Sequence, residues 1–279
     1  MTKGVYGMKK FSRLSVLLIA MLMLLAACGS DEPADSEAAS GNAKKKIRVV
    51  TDAAYAPMEY QDKGEIVGLD VDFMKAVAEE AGYELEIEHV GWDPIFIEIE
   101  SGRADAAISS ISITEDRKET YDFSVPYFLS TNKILVPEGS DIKSAKDLKG
   151  KTVAVQSGTT GQIVTEKILG QNSKDIKKFE NNTLAIMELT KGGADAVVAD
   201  NAVIEYYAKN NPKDKLVVIE DTENFDAEFY GVMFPKDSKL KKDFDEAINE
   251  LLDNGKYEEL YSKWLSGDAN VELLKEQQK

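Results

Sequence analysis

The chain has 279 residues, 30% of them charged and 43% hydrophobic, with a formal net charge of −16 at pH 7 and a single cysteine. That length fits one large domain or two ordinary ones, and one cysteine rules out an intrachain disulfide. So acidic a balance argues against nucleic acid as a partner, because phosphates would be repelled.

Residues 1–27 read as a targeting segment to be left out of the fold. Lys9, Lys10 and Arg13 form a basic head, Leu14 to Leu25 an apolar stretch too short for a comfortable membrane span, and Leu25-Ala26-Ala27-Cys28 offers small residues at a cleavage point. Cys28 is either a chance cysteine beside an ordinary signal peptide or, since the run resembles a bacterial lipobox, the diacylated first residue of the mature chain. Cleavage there removes Lys3, Lys9, Lys10, Arg13 and no acid, taking the formal charge from −16 to −20. Anionic lipid would repel such a chain, so a covalent lipid is the more necessary anchor. Residues 28–45, rich in Ser, Asp, Glu, Ala, Gly and Lys, read as a flexible tether with a reach of roughly 20–25 Å.

Ile47 to Val50 is expected to form a buried strand. Pro57 ends any helix beyond it, which leaves Asp52 and Tyr55 on a loop at the strand's carboxyl end, the edge where open α/β sheets bind ligands. A capping Asp beside a half-buried Tyr is the plainer alternative. A helix follows from about Val71 to Ala81, with Gly82 as its C-cap and Phe73, Val77 and Ala81 on one face. Asp70 is either its N-cap or a cleft-facing carboxylate. Tyr83 to Val90 alternates like a strand and carries the chain's one histidine, His89, which reads as structural. Gly91-Trp92-Asp93-Pro94 opens a helix from Ile95 to Ser101, with Trp92 at the loop–helix junction readable simply as core.

Ala104 to Ile108 is the next buried strand. It runs into Ser109-Ser110-Ile111-Ser112-Ile113-Thr114-Glu115-Asp116-Arg117, where Thr114 and the two acids mark a helix start. Arg117 sits at the wrong end of that helix's macrodipole for a cation. Either it pairs with Glu115 or Asp116 in solvent, or an anion belongs beside it, held by hydroxyls, free N–H groups and the guanidinium fork.

Ser130 to Val136 is the expected crossing into a second lobe, and Asp141 to Lys149 a charged helical turn. Gly150-Lys151-Thr152 imitates the end of a phosphate-binding P-loop, but position 145 is Ala145 and the run precedes a strand, so that reading fails. Thr152 to Gln156 is the strand. Ser157 to Gly161 is then a small-residue turn offering unpaired N–H groups at the start of a helix to about Leu169. Helices from Asn182 to Lys191 and Asn201 to Lys209 flank a strand ending at Asp200, whose side chain either caps the second helix or faces a cation. Leu216 to Ile219 is a further strand, Thr222 to Tyr230 the return crossing, and Gly231 to Phe234 a strand back in the first lobe. Leu240 to Leu252 and Tyr257 to Leu265 are amphipathic helices, and the chain past Ser266 has little to bury. Gly102-Arg103-Ala104-Asp105-Ala106-Ala107-Ile108 recurs 90 positions later as Gly192-Gly193-Ala194-Asp195-Ala196-Val197-Val198, which two similar lobes would explain.

From about Lys46 to Leu265 these segments resemble the bacterial extracellular solute-binding proteins for polar amino acids, the receptors of ABC importers. The resemblance implies an α/β fold of the two-lobed periplasmic-binding-protein type (type II), with mixed sheets, helices on both faces and a hinge of two crossing strands. Residues 46–129 and 230–272 would form the first lobe, 130–229 the second, and 273–279 a tail. Arg117 would grip the ligand α-carboxylate with Ser109, Ser112, Thr159 and Thr160, and Ser110 would also hydrogen-bond the ligand. Asp200 would receive the α-ammonium, Tyr55 and Trp92 would hold the stem, and Asp52, Asp70 and Gln156 would meet the side-chain tip. Met58 stands where the family usually has Phe.

The Ser109-Ser110 pair, Gly91-Trp92-Asp93-Pro94, Thr159-Thr160-Gly161-Gln162 and Tyr230-Gly231 look most like arginine/lysine-binding lipoproteins. The expected ligand is therefore a basic L-amino acid of the arginine, lysine and histidine class. A receptor for glutamine or another polar amino acid is the alternative, since glutamine receptors also carry an acid at the Asp70 position. No cofactor, metal or catalytic residue is expected. The implied partners are an ABC permease with its ATPase and, through Cys28, the outer face of the cell membrane, with the protein itself a monomer. Periplasmic dehydratases share the fold, but an enzyme would need a general acid or base poised in the cleft. An extracellular sensor module, which usually comes with transmembrane and signalling segments, is the other rival.

Overall fold

Short apolar runs bounded by Gly, Pro and Asp become the strands of two main sheets, and the 3.6-periodic segments between them become helices laid on both faces. The computed structural model describes residues 44–278; the targeting segment, Cys28 and the tether as far as residue 43 lie outside the described residues. In chain order come β1 (Lys45–Thr51), β2 (Ala54–Tyr55), β3 (Glu59–Asp62), β4 (Glu65–Val67), α1 (Leu69–Glu80), β5 (Tyr83–His89), α2 (Trp92–Glu100), β6 (Ala106–Ala107), α3 (Glu115–Thr120) and β7 (Tyr121–Phe123). The long strand β8 (Phe128–Pro137) leads to β9 (Val153–Gln156), α4 (Thr160–Leu169), β10 (Ile176–Phe179), α5 (Asn182–Thr190), β11 (Ala196–Asp200), α6 (Asn201–Asn210) and β12 (Leu216–Ile219). The chain returns through β13 (Ala227–Tyr230) to β14 (Met233–Pro235), α7 (Leu240–Asp253), α8 (Lys256–Trp264) and α9 (Val271–Glu276).

The first sheet has the order β5-β1-β6-β14-β7 and the second β10-β9-β11-β8-β12, with β13 paired to β8. Both sheets mix parallel and antiparallel pairs: β1 runs parallel to β5 and β6, while β14 is antiparallel to β6 and β7. Alternation along each strand splits the core into two layers per sheet. Ile47 and Val49 pack with Phe73, Val77, Phe244 and Leu251 on one side of the first sheet, and Val50 packs with Ile95, Ile99 and Met233 on the other. Ile134 and Val136 lie on one face of the second sheet, Leu135 on the opposite one with Ile186 and Ile204. The crossings are β8 and β13, antiparallel neighbours from Phe128↔Tyr230 to Thr131↔Ala227, after which β8 continues into the second sheet.

The repeated phrase has a structural cause. In the first sheet Asp105 donates its N–H to Arg48 O (2.9 Å) and accepts from Arg48 N–H through Oδ2 (2.8 Å). In the second Asp195 does the same with Thr152, at 2.8 and 2.7 Å. Each Asp thus clamps the neighbouring strand by backbone and side chain just before pairing begins, and fixes register where a slip would turn apolar residues outward.

Several boundaries depart from expectation. β6 is shorter than Ala104–Ile108 because the Ala104 N–H is still bonded to Glu98 O, finishing α2. α2 starts at Trp92, since Pro94 is tolerated in a first turn. α1 starts at Leu69 with Gly68 as its N-cap, so Asp70 is not the cap. Gly68 is required there: its φ is +137°, and a β-carbon would lie 2.0 Å from Met58 O. β10 gave no apolar signal because it is an edge strand carrying Lys177 and Lys178, charges that protect an exposed edge. Beyond Ser266 the chain does bury something: α9 places Leu274 at 0% exposure in the first lobe's core.

Candidate ligand-binding cleft

The carboxyl ends of four strands supply the cleft. Asp52 follows β1, Ser109 to Ser112 follow β6, and Gln156 and Asp200 are the last residues of β9 and β11. Asp52, Ser109, Ser110, Ser112, Gln156 and Asp200 line one small cavity together with Tyr55, Trp92, Arg117, Thr159 and Thr160.

Arg117 takes up neither ion pair open to it in solvent; Glu115 pairs instead with Lys118 at 2.9 Å. The Thr114 hydroxyl caps α3 by accepting from Arg117 N–H. The half-buried guanidinium turns inward, donating from Nη1 to Ser112 O (2.9 Å) and from Nη2 to Gly158 O in the opposite lobe (3.2 Å). Its Cζ lies 5.4 Å from the ring centres of both Trp92 and Phe96, in range for cation–π attraction. Burial pulls its pKa down, and Glu228 and Asp200 oppose that. Gly158 is fixed as glycine by a φ of +72° and by the Trp92 Nε1 atom, 3.1 Å from where a β-carbon would stand. That indole N–H is buried and has no partner among the described residues.

Asp200 occupies the N-cap position of α6, yet its side chain makes no capping bond. Its Oδ2 accepts from Tyr55 Oη (2.8 Å) and Tyr230 Oη (2.6 Å) instead. Burial pushes its pKa up to about 7, Glu228 adds to that, and the tyrosines and Arg117 hold it back. Glu228, on β13, lay outside the sequence expectation; it accepts from Ser112 Oγ and Asn132 Nδ2, each at 2.6 Å.

At the other end Asp52 is 6% exposed. Burial raises its pKa, while the hydrogen bond from Gln156 pulls it back. His89 serves the loop: its Nδ1 accepts from Ala53 N–H at 2.9 Å. Gln156 Nε2 reaches Asp52 Oδ2 across the cleft at 3.4 Å. On the opposite wall the Thr159 hydroxyl caps α4 and donates to Gln156 O, and Thr160 Oγ1 lies 3.4 Å from Asn132 Nδ2.

Asp70 is the one expected site residue that does not line the cavity. At 0% exposure it lies beneath the serines, accepting from Ser110 N–H (2.7 Å) and Tyr127 Oη (2.9 Å). Its carboxylate holds Ser110 at a φ of +50°, a left-handed conformation that non-glycine residues keep only when their surroundings enforce it. The lining position falls to Glu59, which the sequence reading missed. Glu59 is 1% exposed and accepts from Ser109 Oγ at 2.7 Å. It pairs with Tyr55 across β2 and β3, and cross-strand partners share a face, so an acid opposite the expected Tyr55 was the available signal. Burial, then the neighbouring Asp70, raise the Glu59 pKa well above the usual carboxylate range, and burial raises Asp70 to about 6.

The cleft therefore has a guanidinium beside the free N–H groups of a helix start, an acid facing it, and a second acidic group at its far end. This arrangement on two mixed sheets joined by paired crossing strands defines a two-lobed solute-binding protein. The chain belongs to the bacterial extracellular solute-binding proteins, family 3, whose sequence model matches residues 47–267; that is a family of binding proteins for transport, not of enzymes. It is 38% identical over 268 residues to the "Probable histidine-binding protein" of Neisseria gonorrhoeae, covering 94% of this chain and 98% of that one. It is 34% identical over 257 residues to the arginine-binding extracellular protein ArtP of Bacillus subtilis (strain 168), covering 91% and 98%. Its structure is similar to that of the arginine-, lysine-, histidine-binding protein ArtJ from Geobacillus stearothermophilus, with a TM-score of 0.81, 52% identity, and coverage of 83% of this chain and 100% of that one.

Proposed function

We propose that this protein holds a basic L-amino acid, of the arginine, lysine and histidine class, as a zwitterion between its lobes and delivers it to an ABC importer. Its lobes on this reading are 46–129 with 230–272, and 130–229. The reading rests above all on Arg117: a guanidinium drawn inward, away from Glu115 and Asp116, to a carbonyl of the opposite lobe. A ligand carboxylate at that point gains the fork and the N–H groups of Thr159 and Thr160 at the start of α4, the Gly158 N–H being taken up by Gln162 Oε1 at 2.9 Å. The ammonium would meet Asp200, with Tyr55 and Trp92 along the stem. Asp52 and Glu59, with Asp70 behind them, concentrate negative charge at the far end, where a cationic tip would restore ionisation that burial opposes.

The second reading, a receptor for glutamine or another neutral polar amino acid, is supported by the Gln156 Nε2 group beside Asp52 Oδ2, which sets a donor next to an acceptor as an amide tip requires. Calorimetric titration with each of the twenty amino acids decides between them. Submicromolar to micromolar binding of arginine, lysine or histidine, with glutamine at least tenfold weaker, is the expected result; the reverse order would transfer the assignment to the neutral class. The protein acts on this reading as a monomer, anchored through a diacylated Cys28 on the outer face of the cell membrane, where a permease with its ATPase receives the ligand.

A further inference from the structure

Gln156 meets the far end of the cleft, but what it presents there is set by a residue behind it. Asn182, the first residue of α5, is 2% exposed, as is Gln156. Asn182 Nδ2 donates to Gln156 Oε1 at 3.0 Å, so the Gln156 oxygen is committed away from the cleft and its Nε2 faces Asp52 at 3.4 Å. Asn182 Oδ1 is buried with no partner among the described residues. A carboxamide can donate or accept, according to which end is turned forward. With Asn182 turned about, its oxygen would accept from Gln156 Nε2, and Gln156 Oε1 would join Asp52 as a second acceptor. In the first arrangement Gln156 adds a donor to the acidic cleft end, suited to a neutral polar tip. In the second the cleft end offers acceptors alone, suited to a cation.

We propose that Asn182, a residue outside the cavity lining, determines side-chain selectivity by setting which end of the Gln156 carboxamide faces the ligand. This rests on the cleft holding an amino acid by its side-chain tip near Asp52 and Gln156. Asn182 acts through Gln156 and is a positioning residue. It bears on selectivity and not on the carboxylate and ammonium sites at Arg117 and Asp200.

The test compares L-arginine with L-citrulline, which has nearly the same shape and no charge, by calorimetry at pH 8. Asn182→Asp can only accept when ionised, so it forces the Gln156 oxygen forward, and an acid at a helix start is compatible with the fold. The preference for arginine over citrulline should rise about tenfold over wild type. Thr183→Asp adds the same charge one residue on, at an exposed position, and should shift the preference less than twofold. Asn182→Ala frees Gln156 to turn and should shift it in the same direction by about twofold or more, which keeps the test open should the aspartate variant fail to fold. An unchanged preference in the folded Asn182 variants, or an equal shift in Thr183→Asp, overturns the role of Asn182. A wild-type protein that binds none of the twenty amino acids overturns instead the amino acid reading on which this rests.

Discussion

The Tyr55 hydroxyl donates to Asp200 Oδ2 over 2.8 Å, joining residues 145 positions apart on opposite walls of the cleft. Tyr230 donates to the same oxygen, so Asp200 is held by two phenols and its other oxygen is left for a ligand. Tyr55→Phe removes one of those bonds, worth about 1 kcal/mol, and should weaken amino acid binding by about three- to tenfold. Asp200→Asn removes the charge itself and should cost about two orders of magnitude or more. Calorimetry on the two variants checks the order; Asp200→Asn binding as tightly as Tyr55→Phe would contradict an ammonium at Asp200.

Arg117 separates a cleft from a decorated surface. Arg117→Ala leaves a buried carboxylate without its main partner, a loss of about 3–5 kcal/mol, or two to three and a half decades of affinity. Arg117→Lys should recover only part, because an ammonium cannot make the paired fork. Glu115→Ala, which breaks an exposed pair with Lys118, should leave binding within twofold. Arg117→Ala within threefold of wild type would overturn the assignment.

Ligand binding should release protons. The ordinary pKa of an unfolded aspartate is about 3.9, while the fold raises Asp200 to about 7 and Asp70 to about 6. Between those limits the folded protein holds protons that the unfolded chain has released, so this part of the stability is fully present below about pH 4 and is lost as pH rises through about 6 and 7. The ligand-free protein should accordingly melt at a lower temperature at pH 8 than at pH 5. An ammonium beside Asp200 favours its ionised form, so binding near pH 6 should release up to about one proton. Calorimetry in buffers of different ionisation enthalpy measures it; Asp200→Asn should lose most of the release, and equal release by that variant would point to another group.

Gly161 tests the packing behind the cleft. Within α4, alanine would by propensity gain about 1 kcal/mol over glycine. A β-carbon there would stand 2.8 Å from Val198 O and 3.1 Å from Asn132 Oδ1, however, and overpacking of this kind costs about 1–3 kcal/mol. Gly161→Ala should therefore lower the melting temperature by several degrees. A rise would mean that α4 can move off β11.

Cys28→Ser should leave folding and ligand affinity unchanged and release the protein from the membrane fraction. Fractionation of cells expressing each form measures this, and retention of the serine variant in the lipid phase would contradict acylation at Cys28.

Sequence alone determined the features that depend on local pattern. The apolar run from Ile47 to Val50, the capped start at Thr114 and the small-residue turn from Ser157 to Gly161 each carry their structural meaning within a few neighbours, because strand burial, capping and tight turns are short-range constraints. Resemblance then joined those segments into one cleft. Tertiary structure alone decided what lies on which side of a wall. Asp70 and Glu59 are both acids beside the same serines, and only the packing of α1 against the β2–β3 pair puts Glu59 at the cavity and Asp70 beneath it. Glu228 arrives on a crossing strand 116 residues from the Ser112 it bonds, and Asn182 reaches Gln156 from another helix. α9 gave no long apolar stripe, yet Leu274 fills a place in a core that the rest of the lobe had shaped. A carboxylate's role and pKa come from the groups brought around it by distant segments, and no window along the chain contains them.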